Sequence, residues 1–288
     1  MAENVVSRPE FVREVLAGAY GIVEKPLTLW EKLYNNGALR KAVLLALLAA
    51  VWQVYATALN NPLLFPKFSE TFAAFYAGIM NGVLLTRAGF SMKVLLQGYA
   101  LGLALAALLT ALAITSRIGN DLLETLTSMF NPLPAIALLP LALIWFGLGN
   151  ASLVFVLVHS VLWAVALNTH SGFLSVSQTM RMVGRNYGLS GPRYVAQILM
   201  PAAFPSILTG MKIGWAFAWR TLIAAELVFG VSSGTGGLGW FIYENKNQLE
   251  IANVFAGLFS VIIIGLIVEN LVFQTVEKRT VRRWGMQS

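Results

Sequence analysis

Apolar runs long enough to cross a lipid bilayer recur along most of this chain. A helix needs about 20 mostly apolar residues to cross the hydrocarbon layer. Six segments approach that length, namely residues 42–59, 94–114, 132–147, 153–167, 206–229 and 251–273. Charged residues make up only 11% of the chain, whereas soluble domains carry about 25%. The sequence therefore predicts an all-α, polytopic membrane protein with about six transmembrane helices.

Two of the apolar stretches depart from a simple span. Residues 132–147 are short and contain Pro132, Pro134 and Pro140, which are tolerated where neighbouring groups satisfy the freed carbonyls. We count this stretch as the third span. Residues 68–85 are interrupted by glycine and asparagine, so we predict a surface helix there.

The basic residues predict the orientation, because lysine and arginine in short loops resist translocation. With the N-terminus inside, fourteen of the 20 basic residues fall on the cytoplasmic side: Arg8, Arg13, Lys25, Lys32, Arg40, Lys41, Arg117, Arg181, Arg185, Arg193, Lys278, Arg279, Arg282 and Arg283. Both termini are then cytoplasmic. The net charge of +7 is a topology signal, and nucleic-acid binding is not expected because no basic stripe carries interleaved aromatic residues.

This topology divides the chain into three parts. Residues 1–41 form a cytoplasmic N-terminal tail, whose amphipathic patches favour either a place on the inner membrane surface or a loosely ordered tail. Residues 42–274 form the transmembrane domain, and residues 275–288 form a basic cytoplasmic tail.

A polar helix pair interrupts the apolar runs between residues 175 and 201. Apolar and polar residues alternate there at helical spacing, with Val176, Met180, Val183 and Tyr187 on one side and Ser177, Gln178, Arg181 and Arg185 on the other. Gly188 is suited to end the first helix and Pro192 to begin the second, and we expect Pro201 to end the second. The pattern predicts a helix-turn-helix with outward arginines, a shape suited to a groove on a soluble partner.

Little in the chain indicates catalysis. There are no cysteines, no phosphate loop of the G-x-x-x-x-G-K-[ST] type and no suitably spaced carboxylate pair. We therefore predict no catalytic residue, no metal site and no cofactor in this chain. His159 and His170 lie in or near the fourth span, and we expect them to be satisfied packing residues, although ionisable residues within a membrane often have a function.

Glycine motifs in the chain have structural explanations. Gly234, Gly236 and Gly239 satisfy the dinucleotide fingerprint, but they lack the strand and helix that this fingerprint requires. Two G-x-x-x-G motifs, Gly98 with Gly102 and Gly210 with Gly214, let helices approach closely. Internal packing explains these two at least as well as dimerisation.

The fifth span carries the candidate substrate path. Trp215, Trp219 and Arg220 lie near one face of this helix, and Glu226 lies about 120° from Arg220. An arginine in a span is costly unless it faces a cavity or a partner, so Arg220 is predicted to contact a passing anion. The alternative is that Arg220 pairs with Glu226, Glu269 or a carbonyl.

The polar helix pair resembles the coupling loop of bacterial ABC importer permeases. In that family the pattern is E-A-A, three residues, glycine, nine residues, and I-x-L-P. Gly188, Ile198, Met200 and Pro201 fall at those spacings, while residues 182–184 replace E-A-A and Met200 replaces leucine. Residues 131–149, 218–226 and 236–242 are similar to the nitrate, sulfonate, taurine and bicarbonate branch, so the resemblance covers about residues 60–280.

The resemblance implies an importer in the bacterial cytoplasmic (inner) membrane. Two copies of the chain would form the pathway, two ATPase subunits would dock on the coupling loops, and an external or periplasmic binding protein would deliver the substrate. ATP and Mg would be bound by the partner ATPase. Residues in or beside its groove would be Arg185, Tyr187, Gly188, Leu189 and Arg193, and Ile198 and Pro201 complete the motif.

The same resemblance implies a small anion as substrate, such as a sulfonate, taurine, nitrate, bicarbonate or an aromatic carboxylate, with thiamine-precursor-like cations as exceptions. Two other classes stay open. A secondary transporter or channel would work without an ATPase but would more often show internal repeats, and a membrane-embedded enzyme would need a cluster of ionisable or metal-binding residues.

Overall fold

The computed structural model describes residue 31 and residues 34–229, 236–283 and 285. Most of the predicted N-terminal tail and the end of the basic C-terminal tail lie outside the described residues. The chain divides into two compact units, Met1–Val51 and Trp52–Ser288. The second unit contains the predicted coupling loop and the predicted substrate path.

Every regular element of the described residues is a helix. In chain order the α-helices are α1 (Gly37–Leu59), α2 (Phe68–Met80), α3 (Val83–Thr115), α4 (Arg117–Phe130), α5 (Leu139–Phe146), α6 (Asn150–Leu174), α7 (Gln178–Asn186), α8 (Gly191–Tyr194), α9 (Met200–Phe229), α10 (Leu238–Asn247), α11 (Ile251–Ile267) and α12 (Gln274–Arg279). A 3₁₀ turn, Ala135–Leu138, precedes α5. Two π-helical segments, Val195–Leu199 and Val268–Phe273, join α8 to α9 and α11 to α12.

Within the described residues, five helices are long and apolar enough to cross a membrane. They are Gly37–Leu59, Val83–Thr115, Asn150–Leu174, Gly191–Val228 and Ile251–Arg279. A sixth span results if Arg117–Phe130 and Ala135–Phe146, which bend by 89° at their junction, count as one. The prediction of about six transmembrane helices is confirmed at this level.

Residues 132–147, predicted as the third span, do not form a helix long enough to cross the membrane alone, so this prediction is wrong in its bounds. Its helix α5 has only 8 residues, far fewer than the roughly 20 that a crossing requires. Pro132 and Pro134 have no backbone N–H, so neither can donate the hydrogen bonds that would continue α4. The chain therefore turns sharply after α4, a helix that the sequence analysis did not predict.

The surface helix predicted over residues 68–85 is divided in the structure at Asn81 and Gly82. Asn81 Oδ1 accepts a hydrogen bond from the backbone N–H of Val83 at 3.0 Å, and Gly82 adopts φ +76°. The helix α2 ends before this turn and packs its aromatic side chains on Phe259 of α11. The next helix, α3, begins at Val83, so the second span starts earlier than residue 94.

The core of the second unit forms where α3 and α9 pack on α6. A Cβ atom added at Gly98 of α3 would lie 2.5 Å from Leu157 Cβ, and one at Gly210 of α9 would lie 2.8 Å from Asn168 Cβ. Both G-x-x-x-G motifs therefore permit the close approach of helices within one chain, as internal packing predicts. The contact at Gly210 belongs to an extensive interface between α6 and α9.

Candidate functional site

The first helix of the predicted coupling loop ends in a Schellman motif at Gly188. Gly188 adopts φ +72°, and its N–H donates to the carbonyl of Arg185 at 2.9 Å while the N–H of Leu189 donates to that of Gly184 at 3.0 Å. These two bonds satisfy the last carbonyls of a helix that ends with a left-handed residue. At the other end of α7, Ser177 Oγ accepts from the N–H of Met180. The predicted end at Gly188 is confirmed.

The second helix of the loop does not end at Pro201, and that prediction is wrong. It begins at Gly191 with Pro192 in its first turn, as expected, but then continues through the π segment into α9. In the π segment the N–H of Met200 donates to the carbonyl of Val195. Such a wider turn lets a helix continue past an irregularity, here a proline without an N–H donor. One helix therefore runs from Gly191 to Val228.

Two contacts fix α7 against the rest of the chain. A Cβ atom at Gly184 would lie 2.9 Å from Ile198 and Tyr194, so only a glycine allows α7 to pack this closely on the second helix. The guanidinium of Arg181 donates to the carbonyls of Phe173 at 2.6 Å and Val176 at 3.1 Å. Arg181 thus points inward and ties α7 to the end of α6, although the sequence analysis expected it to face outward.

Much of the remaining surface of this hairpin segment (residues 175–201) is not covered by other described parts of the chain. The side chain of Tyr187 is 81% exposed and that of Met182 is 55% exposed. Of the predicted coupling residues, Arg185, Tyr187, Gly188 and Arg193 are exposed, and Leu189, Ile198 and Pro201 are partly buried. The expected apolar face is divided, because Val176 is buried while Met180, Val183 and Tyr187 remain accessible. The segment presents a mixed surface of exposed apolar and basic side chains.

The predicted substrate-path residues of α9 point to different places. Trp215 packs edge-on against Tyr99 of α3, with ring centroids 5.2 Å apart, and the indole N–H of Trp219 donates to the carbonyl of Val261 at 3.3 Å. Both tryptophans are buried. They fasten α9 to α3 and α11, and neither lies beside Arg220 in a common site.

Glu226 is engaged near the end of α9. Its carboxylate accepts a hydrogen bond from Ser91 Oγ at 2.8 Å and one from the N–H of Gly239 at 2.8 Å. Ser91 Oγ also accepts from the N–H of Leu238. Glu226 and Ser91 therefore cap the first turn of α10, where free N–H groups need acceptors. A side chain at Gly237 would collide with both of them, which gives the glycine-rich stretch a structural role; Gly234 lies outside the described residues.

Arg220 remains unpaired among the described residues. Its guanidinium lies over the ring of Phe217, 5.7 Å from the centroid, and the side chain is exposed. The pairing with Glu226 that we considered as an alternative does not occur. Lys212, the other basic residue of this helix, instead forms an ion pair of 2.5 Å with Glu277.

Arg220 lines a cavity of about 300 Å³ between α6, α9 and the bend after α4. We call it the α6–α9 cavity; its wall comprises Asn131, Pro132, Leu133, Pro134, Ala135, Ile136, His159, Ser160, Trp163, Phe217, Arg220 and Thr221. The hydroxyls of Ser160 and Thr221 approach to 3.1 Å across the two helices. Of the four predicted path residues, this cavity contains Arg220 alone.

Two side chains of the cavity have buried nitrogens that lack hydrogen-bond partners in the described part of the chain. These are His159, at both ring nitrogens, and Trp163, at Nε1. Phe130 stacks on Trp163 with ring centroids 5.4 Å apart. The expectation that His159 is a satisfied packing residue is wrong, because its ring has aromatic contacts but no polar partner among the residues that the structure describes.

The sequence analysis missed Trp163, Ser160 and Thr221 as members of one site. A signal for them exists, since Phe217, Arg220 and Thr221 lie at i, i+3 and i+4 and thus share a helix face. His159 and Trp163 have the same i, i+4 relation on α6. What the sequence does not indicate is that these two faces meet beside the bend at Pro132.

The comparison with known proteins identifies the family. A family model for the inner membrane component of binding-protein-dependent transport systems matches residues 98–285. The match includes the hairpin segment and the α6–α9 cavity. The chain is an ABC transporter permease. The permease belongs to the group that includes nitrate, taurine, sulfonate and bicarbonate permeases.

Three relatives illustrate the similarity. The permease is 30% identical to a putative ABC transporter permease protein of Methanocaldococcus jannaschii over 242 residues, which is 83% of the chain and 90% of that relative. It is 30% identical to the nitrate import permease protein of Synechocystis over 249 residues, 83% of the chain and 88% of the relative. It is 29% identical to the taurine transport system permease protein of Escherichia coli over 232 residues, 78% and 82% of the two chains.

Proposed function

We propose that this permease is the membrane subunit of an ATP-driven importer for a small anion. Two copies form the pathway, two ATPase subunits bind the hairpin segments from the cytoplasm, and an external binding protein delivers the substrate. Both termini lie in the cytoplasm. ATP and Mg are bound by the ATPase, and the permease itself is not an enzyme.

The observation that carries this proposal is the geometry of the hairpin segment. Tyr187 and the arginines Arg185 and Arg193 are exposed on a short helix pair, and the bonds around Gly188 and Arg181 hold that pair in one shape. Exposed aromatic and arginine side chains are enriched among residues that dominate binding at protein interfaces. A groove on a soluble ATPase is a suitable partner for such a surface.

The connection from the hairpin segment to the spans supports a mechanical role. The helix Gly191–Val228 has 38 residues and leads from the hairpin to Arg220 as one helix that includes the π segment Val195–Leu199. At 1.5 Å per residue, Pro192 and Arg220 lie about 42 Å apart along it. ATPase closure that displaces α7 would therefore move α6 through Arg181 and α9 through the continuous helix, which is a rigid-body change of access.

The anion assignment rests on the relatives and on Arg220. The names of relatives in this group specify nitrate, taurine, aliphatic sulfonates and bicarbonate, which are small oxyanions or carry an oxyanion group. Arg220 is an unpaired cation among the described residues of a candidate span. Alternating access driven by the ATPase would expose this cation first to one side of the membrane and then to the other.

Purification of the tagged permease from native membranes tests the proposal. Proteins that co-purify after gentle solubilisation are identified by mass spectrometry, with and without an ATP analogue. We expect a stoichiometric ATPase and, in one nucleotide state, a binding protein. If the permease is found alone across several detergents, the importer assignment fails. A secondary transporter would then be favoured, a class in which broken helices such as the α4–α5 pair are typical.

A further inference from the structure

The charge of the α6–α9 cavity favours an anion. Arg220 is a permanent cation, and no aspartate or glutamate lies in the cavity wall among the described residues. Asn131, Ser160 and Thr221 add neutral polar groups. An arginine in a membrane span that faces a cavity is often part of a ligand or ion pathway. A cation entering this cavity would meet the charge of Arg220 without a compensating carboxylate.

The buried donors of the cavity lack acceptors. The N–H group of Trp163 donates only and cannot accept a hydrogen bond, and it has no partner among the described residues. His159, one helical turn earlier on α6, is also unpartnered at both nitrogens. Buried donors normally have partners, because leaving them unsatisfied is unfavourable. A ligand that brings acceptor oxygens would satisfy them.

Arg220 has a geometry that suits an oxyanion. Its planar guanidinium presents parallel N–H donors that match two oxygens of a carboxylate, phosphate or similar group. The ring of Phe217 supports the guanidinium from one side and leaves the donors accessible. The contrast is Lys212 on the same helix, whose ammonium is held by Glu277.

The size and the aromatic wall limit the ligand further. The cavity volume of about 300 Å³ lies at the lower end of the range of roughly 300–1,000 Å³ for small-molecule sites. Trp163 belongs to the wall, and Phe130 stacks behind it, while Phe217 lies on the opposite helix. Such a site accommodates an oxyanion head with a short apolar body.

We propose that the α6–α9 cavity is an oxyanion-binding subsite of the permease itself, in which Arg220 and the indole N–H of Trp163 bind the acidic head of the substrate. The inference rests on the proposed function, since it places the cavity on the import pathway. It adds a selection step inside the membrane subunit, which accepts small oxyanions and rejects cations after delivery by the binding protein.

Fluorine NMR of the full-length permease in lipid nanodiscs tests this subsite. The eight tryptophans are replaced biosynthetically by 5-fluorotryptophan, and Trp163→Phe and Trp145→Phe each identify one resonance by its loss. Sodium nitrate and sodium ethanesulfonate are titrated at constant ionic strength against sodium chloride, whose anion has no acceptor oxygens. We expect a saturable shift of the Trp163 resonance and no shift at Trp145, which is 58% exposed and does not line the cavity.

Variants of Arg220 separate the subsite from a general salt effect. We expect Arg220→Gln to weaken nitrate or ethanesulfonate binding at least tenfold, as loss of a charge-assisted hydrogen bond predicts, and Arg220→Lys to weaken it less. The matched control is Arg117→Gln, at an exposed arginine outside the cavity, which should leave the affinity unchanged. Retention of the other tryptophan resonances shows that each variant is folded.

Three results would overturn the subsite. They are the absence of a saturable Trp163 shift with both anions, unchanged affinity in Arg220→Gln, and a shift produced by choline instead of the anions. The titration uses the permease without its ATPase. Failure of the ATPase to co-purify would therefore contradict the proposed importer, whereas failure of the titration would contradict the subsite alone.

Discussion

At the scale of single residues, Arg181 is the contact on which the orientation of the hairpin segment depends most directly. The connection between α6 and α7 spans only residues 175–177, and the guanidinium of Arg181 donates to the carbonyl of Phe173 at the end of α6 and to that of Val176 within the connection. A cation at the C-terminus of a helix also interacts favourably with the helix dipole. The hairpin segment is thus bonded to the span that precedes it as well as covalently joined to it.

We predict that Arg181→Gln loosens the hairpin segment without unfolding the permease. Hydrogen bonds from charged groups contribute about 1.5–3 kcal/mol each, so amide hydrogen exchange in residues 178–190 should accelerate about tenfold or more, while exchange in α9 stays the same. Mass spectrometry of the deuterated permease in nanodiscs measures both regions. Arg117→Gln is the control, and equal exchange in the two variants would contradict the role assigned to Arg181.

At the scale of elements, the two helices of the hairpin segment depend on the turn at Gly188. Its φ of +72° lies in the left-handed region, which is costly for residues with a Cβ atom. Gly82, between α2 and α3, has a similar φ of +76°, and both glycines have open space where a Cβ atom would lie. An alanine would therefore be strained to a similar degree at both positions, and the two positions differ mainly in where they lie in the fold.

We predict that Gly188→Ala and Gly82→Ala lower the stability of the permease equally, by about 1–2 kcal/mol, and that only Gly188→Ala impairs coupling. ATP-driven uptake by the reconstituted complex should fall severalfold in Gly188→Ala and stay near the wild-type rate in Gly82→Ala. Thermal unfolding checks the matched strain. If uptake falls equally in the two variants, the turn at Gly188 has no special part in coupling.

The elements that could be predicted from the sequence are those set by local pattern. Apolar runs gave five of the crossings, and glycine and proline gave the start of the second hairpin helix and the end of the first. The bend after α4 was not predicted, because prolines at residues 132 and 134 are compatible with two structures. One is a membrane span with a tolerated irregularity, and the other is a sharp turn of the chain. The inward position of Arg181 depends on the carbonyls of Phe173 and Val176, which no local pattern encodes.

The candidate site shows the same limit. The sequence singled out Arg220 as a costly cation in a predicted span, and the structure places this residue in the wall of a cavity. Trp215, Trp219 and Glu226 share its helix but contact α3, α11 and α10 instead. Helical spacing identifies which residues share a face, but it does not identify the neighbour that each face meets.

At the scale of the whole molecule, α6, α7 and α9 have the contacts of a single body. Arg181 joins α7 to α6, Gly184 packs α7 on the second hairpin helix, and that helix continues as α9. Gly210 and the hydroxyls of Ser160 and Thr221 hold α6 and α9 together in the membrane. Motion imposed on the hairpin segment should therefore reach the α6–α9 cavity without internal rearrangement.

We predict that spin labels at Gln178→Cys and Val228→Cys keep one distance within a chain in all nucleotide states. The permease has no native cysteine, so both labels can be placed selectively, and dilution with unlabelled permease suppresses signals between copies. Pulsed electron–electron double resonance spectroscopy, with and without an ATP analogue, measures the distance between the two labels. Labels at Gln178→Cys alone, in two copies, should instead show a change of several ångströms.

A change within the chain as large as the change between copies would contradict the single-body description. The hairpin segment would then move on its own, and Arg181 would have to release the carbonyl of Phe173 in α6 during each cycle. Combined with the Arg181→Gln variant, the measurement also shows whether that bond limits the motion.

The hydrogen bonds that close the hairpin segment have a further consequence for how a partner recognises it. Ser177 and Gly188 satisfy the two ends of α7 from within the chain, and Arg181 bonds α7 to α6, so the surface that we propose for ATPase docking is already ordered in the permease alone. Association then requires little ordering of the backbone, which is the main advantage of a preorganised interface. A cell could therefore equip several different permeases with one shared ATPase, provided that each displays this same rigid shape.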